Sequence, residues 1–388
     1  MRPPVLRTKD TDGERRATWT ELFFDLVFVA AVSRTSQILA DEPSRVGATW
    51  FAFLFVAVTW SWTNFVMYAE RFDTDDVPHR LTKAAAMVAV AGVAYTAPDA
   101  RGDGAVEFAL AYFAMRAVLI GLYVRAWRHV LEVRSAIAVY LVGFSLGAAC
   151  WAASVFVEGD LRTALWVAGV VIEVVTPFVG WSRFGKAAAA PGHLEERAGQ
   201  FTLIVLGEAV IRSVDGLDGV QWNGTVWLTA LAVAVVIVCL WWLTFDFVET
   251  VPPGLRALAA LSAHIPTYTA IAALGVGFEL AFQQVEEAAL FRQGRWILCG
   301  AAALYLVGVT GIAVAAGRGL HAVAVHPMTA VVVLGVGAFG TSFSPPAVVA
   351  VVAAALVAEI LYKGTVFGWT GGAAAANGAD GDGADGPP

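Results

Sequence analysis

The sequence predicts an all-α fold, a polytopic integral membrane helical bundle of about twelve transmembrane helices. Three observations carry this. Hydrophobic residues make up 58 % of the 388 positions and charged residues 15 %, against about 45–50 % and about 25 % in soluble domains. The mean hydropathy is +0.68. Apolar runs of the roughly 20 residues needed to cross a bilayer recur along the chain, separated by short charged segments. This composition excludes an ordinary soluble enzyme and a disordered scaffold. The three cysteines, Cys150, Cys239 and Cys299, each sit inside an apolar run, which excludes a disulfide framework.

Residues 1–18 hold Arg2, Arg7, Lys9, Arg15 and Arg16 and read as a cytoplasmic N-terminal segment. The first apolar run is long, starts after Arg15-Arg16 and lacks an Ala-x-Ala site, so it reads as a retained span and not a cleaved signal peptide. A first six-helix half, 19–181, contains spans at 19–39, 49–69, 81–98, 106–126, 135–157 and 161–181. Gly143-x-x-x-Gly147 in the fifth is a close-packing pattern. A charged cytoplasmic connecting loop, 182–197, leads to a second half, 198–366, with spans at 198–214, 225–247, 257–278, 296–316, 325–343 and 346–363. The span at 198–214 carries Glu208 and that at 325–343 is rich in glycine, so either can be broken or re-entrant, leaving ten or eleven full crossings. The tail, 367–388, is dominated by Gly, Ala, Asn and Asp and reads as a disordered cytoplasmic extension.

With twelve spans, 17 of the 25 Lys and Arg fall on the side of the termini and 7 on the other, while Arg116 lies within a span. The positive-inside rule then places both termini in the cytoplasm. The halves are faintly alike. Glu21-Leu-Phe-Phe-Asp25 opens the first, and Glu196-Arg-Ala-Gly-Gln-Phe leads into the second. The aromatic-polar cluster Trp60-Ser-Trp62-Thr-Asn64 lies about 180 residues before Leu240-Trp241-Trp242-Leu-Thr-Phe245-Asp246. Six spans per copy would give a 6+6 parallel repeat about an axis along the membrane normal. Trp60, Trp62, Trp241 and Trp242 read mostly as interfacial belt residues.

The segments Trp19-Thr-Glu21-Leu-Phe-Phe-Asp25-Leu-Val-Phe-Val and Glu196-Arg-x-Gly-x-Phe-Thr-Leu-Ile-Val-Leu-Gly-Glu208, with His264-Ile-Pro and Gly275-x-Gly277-x-Glu279, resemble the bacterial low temperature requirement A family. The match runs over about residues 17–365. Family-typical positions kept here are Glu21, Asp25, Arg116, Glu196, Glu208 and His264, while Gln200 replaces a more apolar residue. The resemblance implies a polytopic membrane protein of a family named for growth in the cold. It supplies a phenotype and no reaction.

Ionisable side chains at membrane depth cost about 2.5–3.5 kcal/mol each on insertion scales, so they face protein or water and mark sites. The proton, ion or polar-network candidates are Glu21, Asp25, Arg116, Glu208 and His264, followed by Asp246, Glu279 and His326. Glu173 and Glu359 are also buried in sequence terms but have no evident partner. Glu21 and Asp25, four apart, share a helix face and can hold one proton or help hold a cation. Arg116 cannot discard its charge and needs a carboxylate, for which Asp25 and Glu208 are the natural choices. Gly207 beside Glu208 allows close approach or a local break, and Pro266 bends the helix that carries His264.

No Walker-type run, His-Glu-x-x-His or Cys-x-x-Cys is present, so no cofactor or metal is expected. The net charge of −7 gives no reason to expect a nucleic-acid partner. The expected partners are membrane lipids, a proton or monovalent cation, and a small solute of unknown identity. The leading expectation is a secondary transporter or ion-conducting protein of the bacterial inner membrane, in which Asp25 and Glu208 exchange a proton or cation for the pair to Arg116. The alternatives are a membrane-embedded enzyme acting on lipid through Asp25, Glu208 and His264, or a non-catalytic membrane stress sensor.

Overall fold

The structure, a computed structural model, describes residues 3–6, 18–73, 76–181, 183–184, 191–245, 255–319 and 323–367. Twelve α-helices lie among them: α1 (Trp19–Asp41), α2 (Arg45–Arg71), α3 (Val77–Thr96), α4 (Ala105–His129), α5 (Arg134–Ala153), α6 (Gly159–Trp181), α7 (Pro191–Asp215), α8 (Gly224–Phe245), α9 (Leu255–Gln283), α10 (Arg292–Ala315), α11 (Val325–Phe339) and α12 (Pro345–Phe367). Each overlies one of the predicted spans. Asp246, residues 182 and 185–190 of the connecting loop and most of the C-terminal tail lie outside the described residues.

Nine of the described helices are long and apolar enough to cross a membrane; α3, α7 and α11 are not among them. At about 1.5 Å per residue the 15 residues of α11 reach only about 22 Å, short of a hydrocarbon core of about 30 Å. Helix α7 is diluted by Glu196, Arg197, Glu208 and Arg212, and α3 by Arg80 and Lys83. The chain is therefore a helical bundle of membrane-protein character, with nine candidate crossings among the described residues.

Local chemistry sets the helix starts. Thr18 caps α1 in a capping box with Glu21. Ser44 accepts from the Gly47 N–H at the head of α2, and Asp76 from the His79 N–H at the head of α3. Arg125, near the end of α4, grips Asp76 with two hydrogen bonds of 3.1 and 2.7 Å, tying α4 to the start of α3. A two-residue antiparallel pairing of β1 (Val5–Leu6) with β2 (Phe72–Asp73) holds the N-terminal segment against the end of α2.

In the first half α1 packs on α2 and α3, then α3 on α4, α4 on α5 and α5 on α6. In the second, α7 packs on α8 and α9, then α9 on α10, α10 on α11 and α11 on α12, with α8 also packed on α12, a pairing the first half does not match. The halves meet along a seam where α1 and α2 face α7 and α9. The Gly143-x-x-x-Gly147 pattern packs as expected: a Cβ at Gly143 would fall 2.0 Å from Thr176 Oγ1, and one at Gly147 2.7 Å from Glu173 Cγ. These glycines bring α5 directly against α6.

The aromatic belt needs a correction. Trp60 and Trp62 are fully buried, and both indole N–H groups are used inside the bundle. Among the described residues Trp19, Trp222, Trp227, Trp241 and Trp296 are the exposed ones. A Trp whose N–H finds a buried acceptor is as stable in a core as at an interface.

Candidate functional site

The most concentrated polar chemistry lies on the seam. Asp25 stands on α1 facing Arg197 of α7, and both side chains are buried. Arg197 donates from Nε to Asp25 Oδ2 at 3.3 Å and from its terminal nitrogen to Oδ1. Trp62 of α2 donates its indole N–H to the same Oδ1 at 2.7 Å. Trp62 is stacked on Phe201 of α7, centroids 4.2 Å apart, and Tyr268 of α9 meets Phe201 edge-on at 4.9 Å. The Tyr268 hydroxyl donates to the Ala198 carbonyl at 3.0 Å. Four helices thus fix one carboxylate, one guanidinium and their aromatic walls. Beside Arg197 lies a cavity of about 20 Å³, lined also by Glu21, Tyr68, His79 and Lys83, with room for one water.

Glu21 does not share a proton with Asp25 here. Its carboxylate turns back to the head of its own helix, accepting from the Thr18 N–H at 2.9 Å and the Thr18 hydroxyl at 2.8 Å. Helix-start geometry has claimed the group that spacing alone assigned to a carboxylate pair.

At the other end of the seam Glu208 is buried and accepts from Arg212 Nε, one turn on, at 3.0 Å. Arg212 also reaches Glu279 of α9 at 3.4 Å and the Ser33 carbonyl of α1 at 2.9 Å. This second knot therefore crosses the same seam. Glycines permit the approach: a Cβ at Gly275 would lie 2.7 Å from Ala209 Cα, and one at Gly216 would lie 2.7 Å from Glu279 Cα. The expected role of Gly207 is not seen, for α7 is continuous through it and a Cβ there would meet open space. The close contact beside Glu208 is made by Gly275 on the neighbouring helix instead.

Arg116 pairs with neither Asp25 nor Glu208. Its partner is Glu173 of α6, and both side chains are fully buried. Tyr112 donates to Glu173 Oε2 at 2.9 Å and accepts from Ser61 at 3.0 Å, while the Trp60 indole N–H binds the Glu173 carbonyl at 3.0 Å. Trp151 stacks on Tyr112 at 4.0 Å, and the Arg116 guanidinium lies 5.2 Å from the Phe144 ring centroid. The pair is internal to the first half and away from the seam. Glycine contacts between α5 and α6 deliver Glu173 to Arg116, which sequence spacing does not reveal.

The second half has its own cluster. His326 of α11 bonds through Nδ1 to Glu359 of α12 and through Nε2 to Lys363 Nζ at 3.0 Å. A charged lysine only donates, so Nε2 is the acceptor and Nδ1 carries the proton that meets Glu359. His326, Lys363, His264, Thr244 and Arg318 line a cavity of about 30 Å³. His264 is buried on α9, its Nδ1 against the Ala260 carbonyl at 2.8 Å, and α9 runs unbroken through Pro266. Among the described residues no group of three or more His, Cys, Asp or Glu side chains converges where a metal ion could sit.

Sequence reasoning missed Arg197, Trp62 and Lys363. The connecting loop expected at 182–197 ends early because α7 begins at Pro191, so Arg197 sits inside a helix. The signal for Arg197 was its place in the Glu196-Arg197-x-Gly-x-Phe segment; for Lys363 it was its position one turn after Glu359.

The seam residues Asp25, Arg197, Glu208, Arg212 and Glu279 all fall inside one extended family match. The profile described as "Bacterial low temperature requirement A protein (LtrA)" covers residues 16–358. The chain belongs to the LtrA family. A relative in Rhizobium meliloti (strain 1021), "Uncharacterized protein RA0937", is 29 % identical over 257 residues, or 62 % of this chain. The aligned part spans 60 % of that relative's length. In LtrA terms, the Gly275-x-Gly277-x-Glu279 segment has a physical reading. Gly275 admits α7, Gly277 admits Leu298 of α10, and Glu279 holds Arg212.

Proposed function

We propose that this LtrA-family chain is a secondary transporter or ion-conducting protein of the bacterial inner membrane, with both termini cytoplasmic and its two six-helix halves related as a parallel repeat. The observation that carries the reading is one seam tied by buried charge at both ends. Asp25 and Arg197 hold it near the starts of α1 and α7, and Glu208, Arg212 and Glu279 near the ends of α7 and α9. Arg197 and Arg212 are separated by about 22 Å along α7, a large share of a hydrocarbon core of about 30 Å. The recurring order of neighbouring helices supports the repeat, and the excess of Lys and Arg on the side of the termini supports the orientation.

The chemistry follows from the pairs. Breaking a buried ion pair by removing one charge costs about 3–5 kcal/mol, so a closed end opens only when the lost charge is replaced. A proton or monovalent cation arriving at Asp25 replaces Arg197 and frees α7 from α1. The Arg212 knot then closes the opposite end. The cavity beside Arg197 has room for one water, which would give the proton a way in. The exchange once expected with Arg116 is carried in this scheme by Arg197 and Arg212.

An enzyme built on Asp25, Glu208 and His264 finds less support, because the three belong to three different polar clusters. A purely static sensor finds less support too, because a large cavity opens between the halves.

The test is flux in proteoliposomes under imposed proton, sodium and potassium gradients, with Asp25→Asn and Glu208→Gln beside the wild type. A specific flux, lost in both folded variants, is the expected result. Wild-type flux that both variants keep would sink the gating scheme.

A further inference from the structure

The large cavity lies between the first half and the second, and its chemistry is two-sided. It measures about 730 Å³, within the roughly 300–1,000 Å³ of small-molecule sites. Its mouth carries Arg45, the first residue of α2, and Arg292 and Gln293, the first two of α10. Its depth is apolar, walled by Phe51, Ala301 and Leu304. Leu304 lies twelve residues into α10, so the apolar wall runs about 18 Å along that helix from Arg292.

The two arginines are unlike the others that are tied down. Arg101, Arg116, Arg125, Arg197 and Arg212 each hold a carboxylate. Arg45 and Arg292 have no carboxylate partner among the described residues. They come from opposite halves and line the same largely apolar cavity. Two exposed guanidiniums suit a carboxylate or phosphate head, and the apolar wall suits a hydrocarbon chain lying along the helices.

We infer that this cavity binds an amphipathic anion, its acyl chain along Phe51, Ala301 and Leu304 and its carboxylate or phosphate head between Arg45 and Arg292. A free fatty acid and an anionic phospholipid share that chemistry. The site bridges the two halves, so on the transport reading the bound anion is cargo. The binding claim itself does not need that reading.

Trp296 lines the cavity and supplies the readout. The full chain, purified in neutral detergent, is titrated with a dibrominated fatty acid, whose bromines quench nearby indoles. The expected result is saturable quenching, the saturable part disappearing in Trp296→Phe. In Arg45→Gln/Arg292→Gln the midpoint shifts upward at least about tenfold, since each lost charge-assisted bond is worth that much or more. Gly300→Leu adds bulk to the wall at a position where a Cβ meets nothing within 4 Å, and is expected to abolish saturation while leaving the protein folded.

A second arm uses the protein in vesicles of brominated phosphatidylglycerol or brominated phosphatidylcholine. Arginine-dependent preference for phosphatidylglycerol identifies the lipid as the source; saturation by the free acid alone identifies the acid. Equal quenching by the methyl ester of the fatty acid, or a double arginine variant that titrates like the wild type, overturns the proposal. Arginine-dependent binding in a protein without flux would keep the site and remove the transporter; flux without such binding would do the reverse.

Discussion

Glu173 and Glu359 stand at the same place in their halves, each the fifteenth residue of the last helix, α6 or α12. Their surroundings differ in kind. Glu173 faces Arg116, a partner that cannot release its charge, inside a shell of Tyr112, Trp151 and glycine backbone. Glu359 faces His326, and through it Lys363, beside a water-sized cavity. One half has spent its buried carboxylate on a fixed strut, and the other has joined it to a hydrogen-bonded chain of imidazole and amine beside a cavity. The proposed cycle takes its proton at Asp25 on the seam, so neither cluster is the primary site: Glu173 serves as a strut of the first half and Glu359 as part of a polar chain lining a cavity of the second.

The largest expected effect breaks the strut. Arg116→Leu leaves Glu173 buried without its cation, and a loss of about 3–5 kcal/mol follows from that orphaned charge. Arg116→Leu/Glu173→Leu removes both charges and is expected to recover much of the loss. His326→Leu costs less, about 1–3 kcal/mol, because Lys363 remains near Glu359 to share its charge. Thermal unfolding of the four purified proteins in one detergent ranks them. A melting temperature for Arg116→Leu equal to the wild type would erase the distinction between the halves.

The next effect tests the bridge in the second half. Neutral His326 accepts from Lys363 through Nε2 and meets Glu359 through Nδ1, so one imidazole joins two charged groups of α12. The groups around the bridge are Glu359 and Lys363 on α12, His264 on α9, Arg318 after α10 and Thr244 on α8. Flux at a fixed pH is expected to fall in folded His326→Gln and to stay at the wild-type level in a first-half control, Tyr112→Phe. His326→Gln flux equal to the wild type would remove the bridge from the transport cycle.

How much of this could be read in advance depended on the range of the interaction. Helix positions follow from local hydropathy, and all twelve were legible, including the weakness of α7 and α11. The need of Arg116 for a partner was legible too, because one charge within an apolar run states it. Which carboxylate answers was not, because that is decided by how α5 brings α6 to α4. Glycines in sequence indicate that helices come close, but not which ones. Arg197 was hidden by hydropathy itself: Glu196 and Arg197 interrupt the apolar run, so the span is read as starting after them. Trp60 and Trp62 looked interfacial for the same reason, since periodicity carries no information on whether an indole N–H has a buried acceptor. The candidate site was thus legible as a set of charges and illegible as a set of pairs.

The smallest effects come from a matched pair of glycines, each beside a carboxylate in its own half. A methyl group at Gly147 would sit 2.7 Å from Glu173 Cγ and 3.2 Å from the Gly169 carbonyl. Glu173 is held by Arg116 and Tyr112 and cannot yield, so Gly147→Ala is expected to cost about 1–3 kcal/mol by overpacking, despite the gain in helix propensity. Gly207 precedes Glu208 on an exposed face of α7 and a methyl group there meets nothing. Only the propensity term remains, and Gly207→Ala is expected to stabilise by up to about 1 kcal/mol with flux unchanged. The melting temperatures should therefore move in opposite directions. Loss of flux in Gly207→Ala with the fold intact would show that α7 must bend there during transport, and the moving part would then be the helix that carries both seam arginines.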